Sequence, residues 1–260
     1  MTDSPHEHER VQDAPRVALV TGGASGIGRA TVLRLVGDGL VVGAMDRDTA
    51  ALDRLVTESR EAGVGGSLLG LPADVTHEVA VAEGIDALQA RYDRPVTVLV
   101  NNAGIAGGGG FLDADDGAFR RLLSVHLEGA LHATRAVLPG MLALGSGVIV
   151  NVLTDGLWHG GTSVTYTTAK GALLGFTRSL AREVAPAGVR VNAVAPGPVA
   201  TAMLLDDAPA AIAAELASVP IGRALTPDEV AATIAFLCGP GGQAYVGAVL
   251  SPNGGTVFPG

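Results

Sequence analysis

Short apolar runs alternate along this chain with longer stretches in which apolar positions return every three or four residues. The runs RVALVT (16–21), LVVGAM (40–45), VTVLVN (96–101), GVIVNV (147–152) and VRVNAV (189–194) are short and rich in valine. That is the pattern of strands buried on both faces. AYVGAVLS, near the C-terminus, continues the series. Between the runs lie helical patterns such as TAALDRLVTESREAG and THEVAVAEGIDALQARY. The first of these opens at Asp48 and Thr49, good N-cap residues, and closes at Gly63, a good C′ residue. Alternating strand and helix predicts right-handed βαβ crossovers, hence a doubly wound parallel sheet with helices on both faces. No internal repeat and no linker divides the chain. The glycine run AGGGG (106–110) follows a strand and reads as a loop over the sheet edge.

Composition narrows the picture. The 260 residues suit one large α/β domain. The single cysteine, Cys238, lies in the apolar stretch TIAFLC and cannot form an internal disulfide. It reads as a buried core thiol in a reducing compartment, so a cytoplasmic location is expected. A formal net charge of −9 disfavours nucleic acid and anionic membranes as partners. No apolar run is long enough to span a bilayer. Residues 1–14 are polar and lack a signal core, so they read as a flexible tail before a domain over 15–260. The tail's His6 and His8 lack a recognisable ligand cage, and no metal is expected.

The first strand runs into a glycine-rich turn, VALVTGGASGIGRATVLRL. Gly22, Gly26 and Gly28 permit a tight turn and close approach of a ligand. The helix beyond them offers free N–H groups to a pyrophosphate. Such a turn is weak evidence alone, because many βα turns need glycine. The second strand adds to it by ending in AMDRD, with Asp46 eighteen residues after Gly28. A carboxylate there accepts hydrogen bonds from ribose hydroxyls and repels a 2′-phosphate. Ser25 stands where a phosphate-binding Arg is often found, although Arg47 is within reach of a phosphate. NAD is therefore expected over NADP.

TYTTAK (165–170) places Tyr166 four residues before Lys170, on one helical face. These pieces, in this order, resemble the short-chain dehydrogenase/reductase family in its single-domain, Rossmann-like form, over nearly the whole chain. TGGASGIG, including Ser25 and Ile27, is similar to the family's cofactor turn. ADVT, with Asp74 and Val75, is similar to its adenine-contacting segment. NNAG, with Asn102, Ala103 and Gly104, resembles the motif that steadies the central sheet beside the cofactor. RVNAVAPGPVAT, with Pro196, Gly197, Val199 and Thr201, resembles the segment closing over the nicotinamide. YTTAK is similar to the catalytic Tyr-x-x-x-Lys. The resemblance implies that Tyr166 exchanges a proton with the substrate oxygen and that Lys170 holds the nicotinamide ribose. A free phenol, with a pKa of about 10, is a poor base near neutrality. Lys170 and an oxidised nicotinamide are expected to lower it.

Three positions depart from the family pattern. Thr154 stands where the helper serine is expected, twelve residues before Tyr166, and keeps the hydroxyl. Thr162, Ser163 and Thr165 are weaker alternatives. His126, in VHLEG, replaces the proton-relay asparagine. It reads either as a buried histidine that supports a helix kink or as a relay titrating near neutrality. Asn253 replaces an aspartate before two glycines, with little consequence expected. The stretch after Thr201 is apolar. Met203, Leu204, Leu205, Leu157 and the lone tryptophan, Trp158, suggest a pocket for a lipophilic secondary alcohol or ketone. The resemblance also implies a homo-oligomer, tetramer or dimer. A cofactor-binding protein with weak redox chemistry, or a nonredox enzyme on the same site, is the rival reading.

Overall fold

Valine and leucine on both faces of the central strands demand cover on both sides, and the chain supplies it with two helical layers. The computed structural model describes residues 15–107, 110–112, 115–161, 163–205 and 209–258. The tail over 1–14 with His6 and His8, Gly108 and Gly109 of the glycine run, and Thr162 lie outside the described residues.

Among the described residues seven strands form one sheet: β1 Val17–Thr21, β2 Val41–Asp46, β3 Leu68–Pro72, β4 Val96–Asn101, β5 Gly147–Val152, β6 Val189–Val194 and β7 Val249–Leu250. Their order is β3-β2-β1-β4-β5-β6-β7, and every pairing is parallel. The longer helices are α1 Gly26–Gly37, α2 Thr49–Glu61, α3 Glu78–Tyr92, α4 Asp116–Leu123, α5 Gly129–Leu144, α6 Val164–Val184, α7 Pro209–Ala217 and α8 Pro227–Cys238. One core layer packs α1, α2 and α8 against Ala18, Val20, Val98, Val148 and Val150. The other packs α3, α5 and α6 against Val17, Leu19, Leu99, Ile149 and Val191. The strand order reverses between β1 and β4, which opens a crevice at the carboxyl ends of those strands, where ligands of such sheets bind. Cys238 is buried in the first layer, and burial pushes its thiol up to about 12. Among the described residues no helix is long and apolar enough to cross a membrane.

Local chemistry accounts for most of the element boundaries. Asp48 caps α2 by accepting from Ala51 N–H at 2.9 Å, and Gly63 beyond its end takes φ +79°. Strand β3 carried no clear signal, because its five residues include Gly70 and end at Pro72. Both are tolerated at a sheet edge. The final strand is shorter than its apolar run. On the approach to β7 the backbone still bonds to β6, Gly247 N–H to Val191 O at 2.8 Å and Ala193 N–H to Ala248 O at 2.9 Å. The Asn192 amide adds to these by donating to Tyr245 O at 2.8 Å and accepting from Ala248 N–H at 3.0 Å.

Candidate active site

The crevice begins at the turn between β1 and α1. Gly22 and Gly26 adopt φ of +62° and +50°, open to glycine at little cost. A Cβ on Gly28 would collide with Gly22 O and lie 2.6 Å from Asn102 Nδ2. The Asn102 amide donates to Thr21 O and Gly22 O at 3.0 and 3.1 Å. The Thr21 hydroxyl in turn accepts from the N–H groups of Asn102 and Ala103, both at 3.1 Å. NNAG therefore fixes the glycine turn from the side. Asp48, Asp115, Ser163 and Thr226 cap their helices with side chains. Ser25 does not cap α1, and the first turn of α1 has no acid. Its N–H groups and its positive end are left for an anionic group. Gly104 borders His126 and Ile27 is half-buried beside the turn.

Asp46 ends β2 with both carboxylate oxygens engaged by the turn regions, Oδ2 by Ala24 N–H and Oδ1 by Asp48 N–H, each at 3.1 Å. Its remaining lone pairs can still accept from hydroxyls. Arg47 is exposed. Asp74 lies below the ordinary carboxylate value. Burial pushes it up, but hydrogen bonds from the Thr76 N–H and hydroxyl, helped by His77 and Arg47, outweigh that. Val75 is buried against Gly129, and its carbonyl lies 2.9 Å from His132 Nδ1.

Helix α6 carries the phenol and the amine. Ser163 caps it by accepting from Tyr166 N–H at 3.3 Å. Lys170 is buried, donates to Val152 O at 2.7 Å, and holds Nζ 5.6 Å from the Tyr166 ring centroid. Thr154 stands two residues past that carbonyl, and its Oγ1 accepts from Gly156 N–H at 3.2 Å. Its own proton remains available to a ligand oxygen. His126 lies in a π-helical turn, Ser124–Glu128, between α4 and α5. Such bulges recur at functional sites. Its Nε2 sits 2.9 Å from Ile105 O and 3.3 Å from Ile105 N. Its Nδ1 is buried with no partner among the described residues.

The electrostatics differ from expectation. Burial, and then the charge of Asp155, push the Tyr166 phenol up to about 12. Burial also pushes the Lys170 amine down, to about 7. His126 falls to about 3, chiefly through burial, then through Lys170, against the Ile105 hydrogen bond. It is therefore neutral throughout the physiological range, which favours the kink-supporting reading over the titrating one.

The segment after β6 passes over the glycine turn. A Cβ on Gly26 would meet the Thr201 methyl at 3.1 Å, and Thr201 N–H donates to Val199 O at 2.7 Å. Pro196 O accepts from Asp155 N–H at 2.9 Å. Gly197 has no room for a side chain, with Asn253 O 2.8 Å and Asp155 Oδ2 3.1 Å from where its Cβ would be. In the following helical turn, Ala202–Leu205, Leu204 is buried while Met203 and Leu205 are 46% and 59% exposed. Leu157 and Trp158 are half-buried and pack on Leu153, Leu173 and Ala195.

Sequence reasoning overlooked two features. Asp155 is a buried carboxylate immediately after Thr154, and an acid inside VNVLTDGLW was its visible signal. A buried chain runs from the Asn101 amide to Asn151 Oδ1 at 2.8 Å, and from the Asn151 amide to Thr177 Oγ1 at 2.8 Å. It joins β4, β5 and α6. Asn253 also does more than keep a turn. Its amide donates to Ser251 Oγ and Val257 O, which a carboxylate could not do.

The family model described as short chain dehydrogenase matches residues 16–210. Cis-4-hydroxycyclohexanecarboxylate dehydrogenase of Sinomonas cyclohexanicum is 41% identical over 245 residues, covering 93% of this chain and 96% of that protein. Galactitol 2-dehydrogenase (L-tagatose-forming) of Cereibacter sphaeroides is 38% identical over 248 residues, covering 92% and 93%. The crystal structure of the 3-ketoacyl-(acyl-carrier-protein) reductase from Brucella melitensis complexed with NADH superposes with a TM-score of 0.87 at 31% identity, covering 94% of this chain and 99% of that one.

Proposed function

The chain belongs to the short-chain dehydrogenase family and is an oxidoreductase of CH–OH and keto groups; from this premise we propose an NAD(H)-dependent enzyme that interconverts a lipophilic secondary alcohol and its ketone. The observation that carries the proposal is the placement of Tyr166 and Lys170 against the carboxyl end of β5, which Thr154 follows by two residues, at the same end of the parallel sheet as an uncapped helix N-terminus.

The residues present fit a dinucleotide. The N–H groups around Gly22, Ser25, Gly26, Ile27 and Gly28 would take the pyrophosphate, and Asp46 the adenosine ribose. Asp74 and Val75 would border the adenine. Asn102, Ala103 and Gly104 would flank the nicotinamide half, with Tyr166 and Lys170 at its ribose. Pro196, Gly197, Val199 and Thr201 would hold the carboxamide. When bound, the nicotinamide supplies or accepts the hydride. In the reducing direction the protonated Tyr166 phenol gives its proton to the alkoxide, while the Thr154 hydroxyl donates to the same oxygen. In the oxidising direction the phenol must first lose its proton, which burial and Asp155 oppose and positive charge nearby favours. His126 is proposed as a neutral positioning group that holds the Ile105 loop. Exposed Met203 and Leu205, together with half-buried Leu157 and Trp158, support an apolar substrate.

The test is nicotinamide absorbance with NAD and a panel of cyclic, steroidal and terpenoid secondary alcohols, with the matching ketones run against NADH. Turnover on the apolar members is expected; turnover on polyols alone overturns the lipophilic assignment. We also infer a cytoplasmic homo-oligomer, tetramer or dimer. The lone buried thiol supports the compartment, and the exposed Phe236, Tyr245 and Val246 support a partner copy. Sedimentation velocity tests the assembly.

A further inference from the structure

The chain's end forms a self-bonded loop after β7. Ser251 Oγ donates to Ala195 O at 2.7 Å, Gly197 N–H donates to Pro252 O at 3.2 Å, and Gly255 N–H donates to Asn253 Oδ1 at 2.8 Å. On one side this loop holds the segment after α7, because Ile221 N–H donates to Gly254 O at 3.2 Å. On the other side the Thr256 hydroxyl donates to Asp155 Oδ2. Asp155 itself donates its N–H to Pro196 O, lies against Gly197, and has its Oδ1 3.6 Å from His159 Nε2. One buried residue therefore joins the carboxyl ends of β5, β6 and β7, its carboxylate bonded to Thr256 and its backbone N–H to Pro196 O, next to the residue that carries the helper hydroxyl.

We propose that Asp155 is a positioning residue for the reaction, clamping the C-terminal loop over 251–257 against the turn that carries Thr154 and against the Pro196–Gly197 segment. The alternative use of an acid here, a plain helix cap for the turn Gly156–His159, does not describe it, since its side chain makes no cap hydrogen bond. A buried carboxylate with a hydroxyl partner from a distant segment holds its geometry strongly, because breaking the pair strands a charge. The proposal rests on the reading of Thr154 and Tyr166 as reacting groups.

Hydrogen exchange and kinetics on the full chain test it together, with Asp155→Ala, Asp155→Asn and Thr256→Val. In Asp155→Ala and Thr256→Val, amide exchange is expected to rise in both 153–161 and 251–258, with the glycine turn and α1 unchanged. The alcohol kcat/KM should fall by about tenfold, the effect of one lost charge-assisted hydrogen bond, while NAD affinity stays. Asp155→Asn keeps an acceptor for Thr256 and should restore protection. Faster exchange confined to 153–161 overturns the clamp, as does an unchanged kcat/KM in Thr256→Val. Should the wild type turn over no alcohol, exchange still decides the clamp, and that failure falls on the functional reading instead.

Discussion

The ring of His126 meets that of Tyr166 edge-on, with centroids 5.2 Å apart, and burial holds His126 near a value of about 3. A group so far below neutrality cannot shape a pH profile around pH 7. His126→Asn keeps a donor and an acceptor for Ile105, so kcat should change by less than about tenfold and the profile should keep its shape. Disappearance of a near-neutral ionisation in that variant would restore the titrating relay.

Lys170 carries a cost. Its folded value of about 7 lies below the ordinary 10.5. Between those values the unfolded chain binds more protons, so stability rises with pH across that window and the deficit is complete below about pH 7. Lys170→Met should therefore raise stability by roughly 1–3 kcal/mol at pH 6, with the gain shrinking toward pH 9, while turnover is lost. Urea unfolding at the two pH values checks it. Destabilisation at pH 6 contradicts the argument.

The phenol's high value gives the two directions different pH behaviour. With Tyr166 near 12, ketone reduction finds its proton donor in place across neutral pH, whereas alcohol oxidation should quicken as pH rises. Among the described residues, Asp155 acts on this phenol by its charge, and Lys170 and His126 face its ring. Asp155→Asn removes the negative one, so the rising limb of oxidation should move to lower pH. An unmoved limb in a profile of kcat would contradict that electrostatic role.

Asp46 is expected to choose the cofactor. Both its oxygens are steadied by backbone N–H groups, so the carboxylate is held rigidly at the end of β2. Asp46→Ser should weaken NAD by about tenfold or more, as lost charge-assisted hydrogen bonds do, and should improve NADP. Titration of both dinucleotides checks it, and equal loss for the two would contradict the assignment.

The doubly wound sheet was legible because β1, β2, β4, β5 and β6 are valine-rich runs with both faces buried, a pattern that local composition alone reveals. Strand β3 was not, because Gly70 and Pro72 blur a short edge strand. Tyr166, Lys170 and the glycine turn stand in fixed local spacing, and so they too could be read from the chain. The value taken by the phenol could not, since it depends on burial and on Asp155, whose contact with Thr256 spans 101 residues. The same holds for the Asn101–Asn151–Thr177 chain, which the parallel pairing of β4 with β5 brings together.

The most direct measurement of the central claim is NAD reduction on a turned-over secondary alcohol by Tyr166→Phe, with NAD affinity measured alongside by titration. The variant removes one oxygen and leaves the ring against His126. The account predicts NAD bound as in the wild type and kcat lowered by at least about a hundredfold, the usual weight of a general acid–base group. A variant that binds NAD and turns over at the wild-type rate would contradict it.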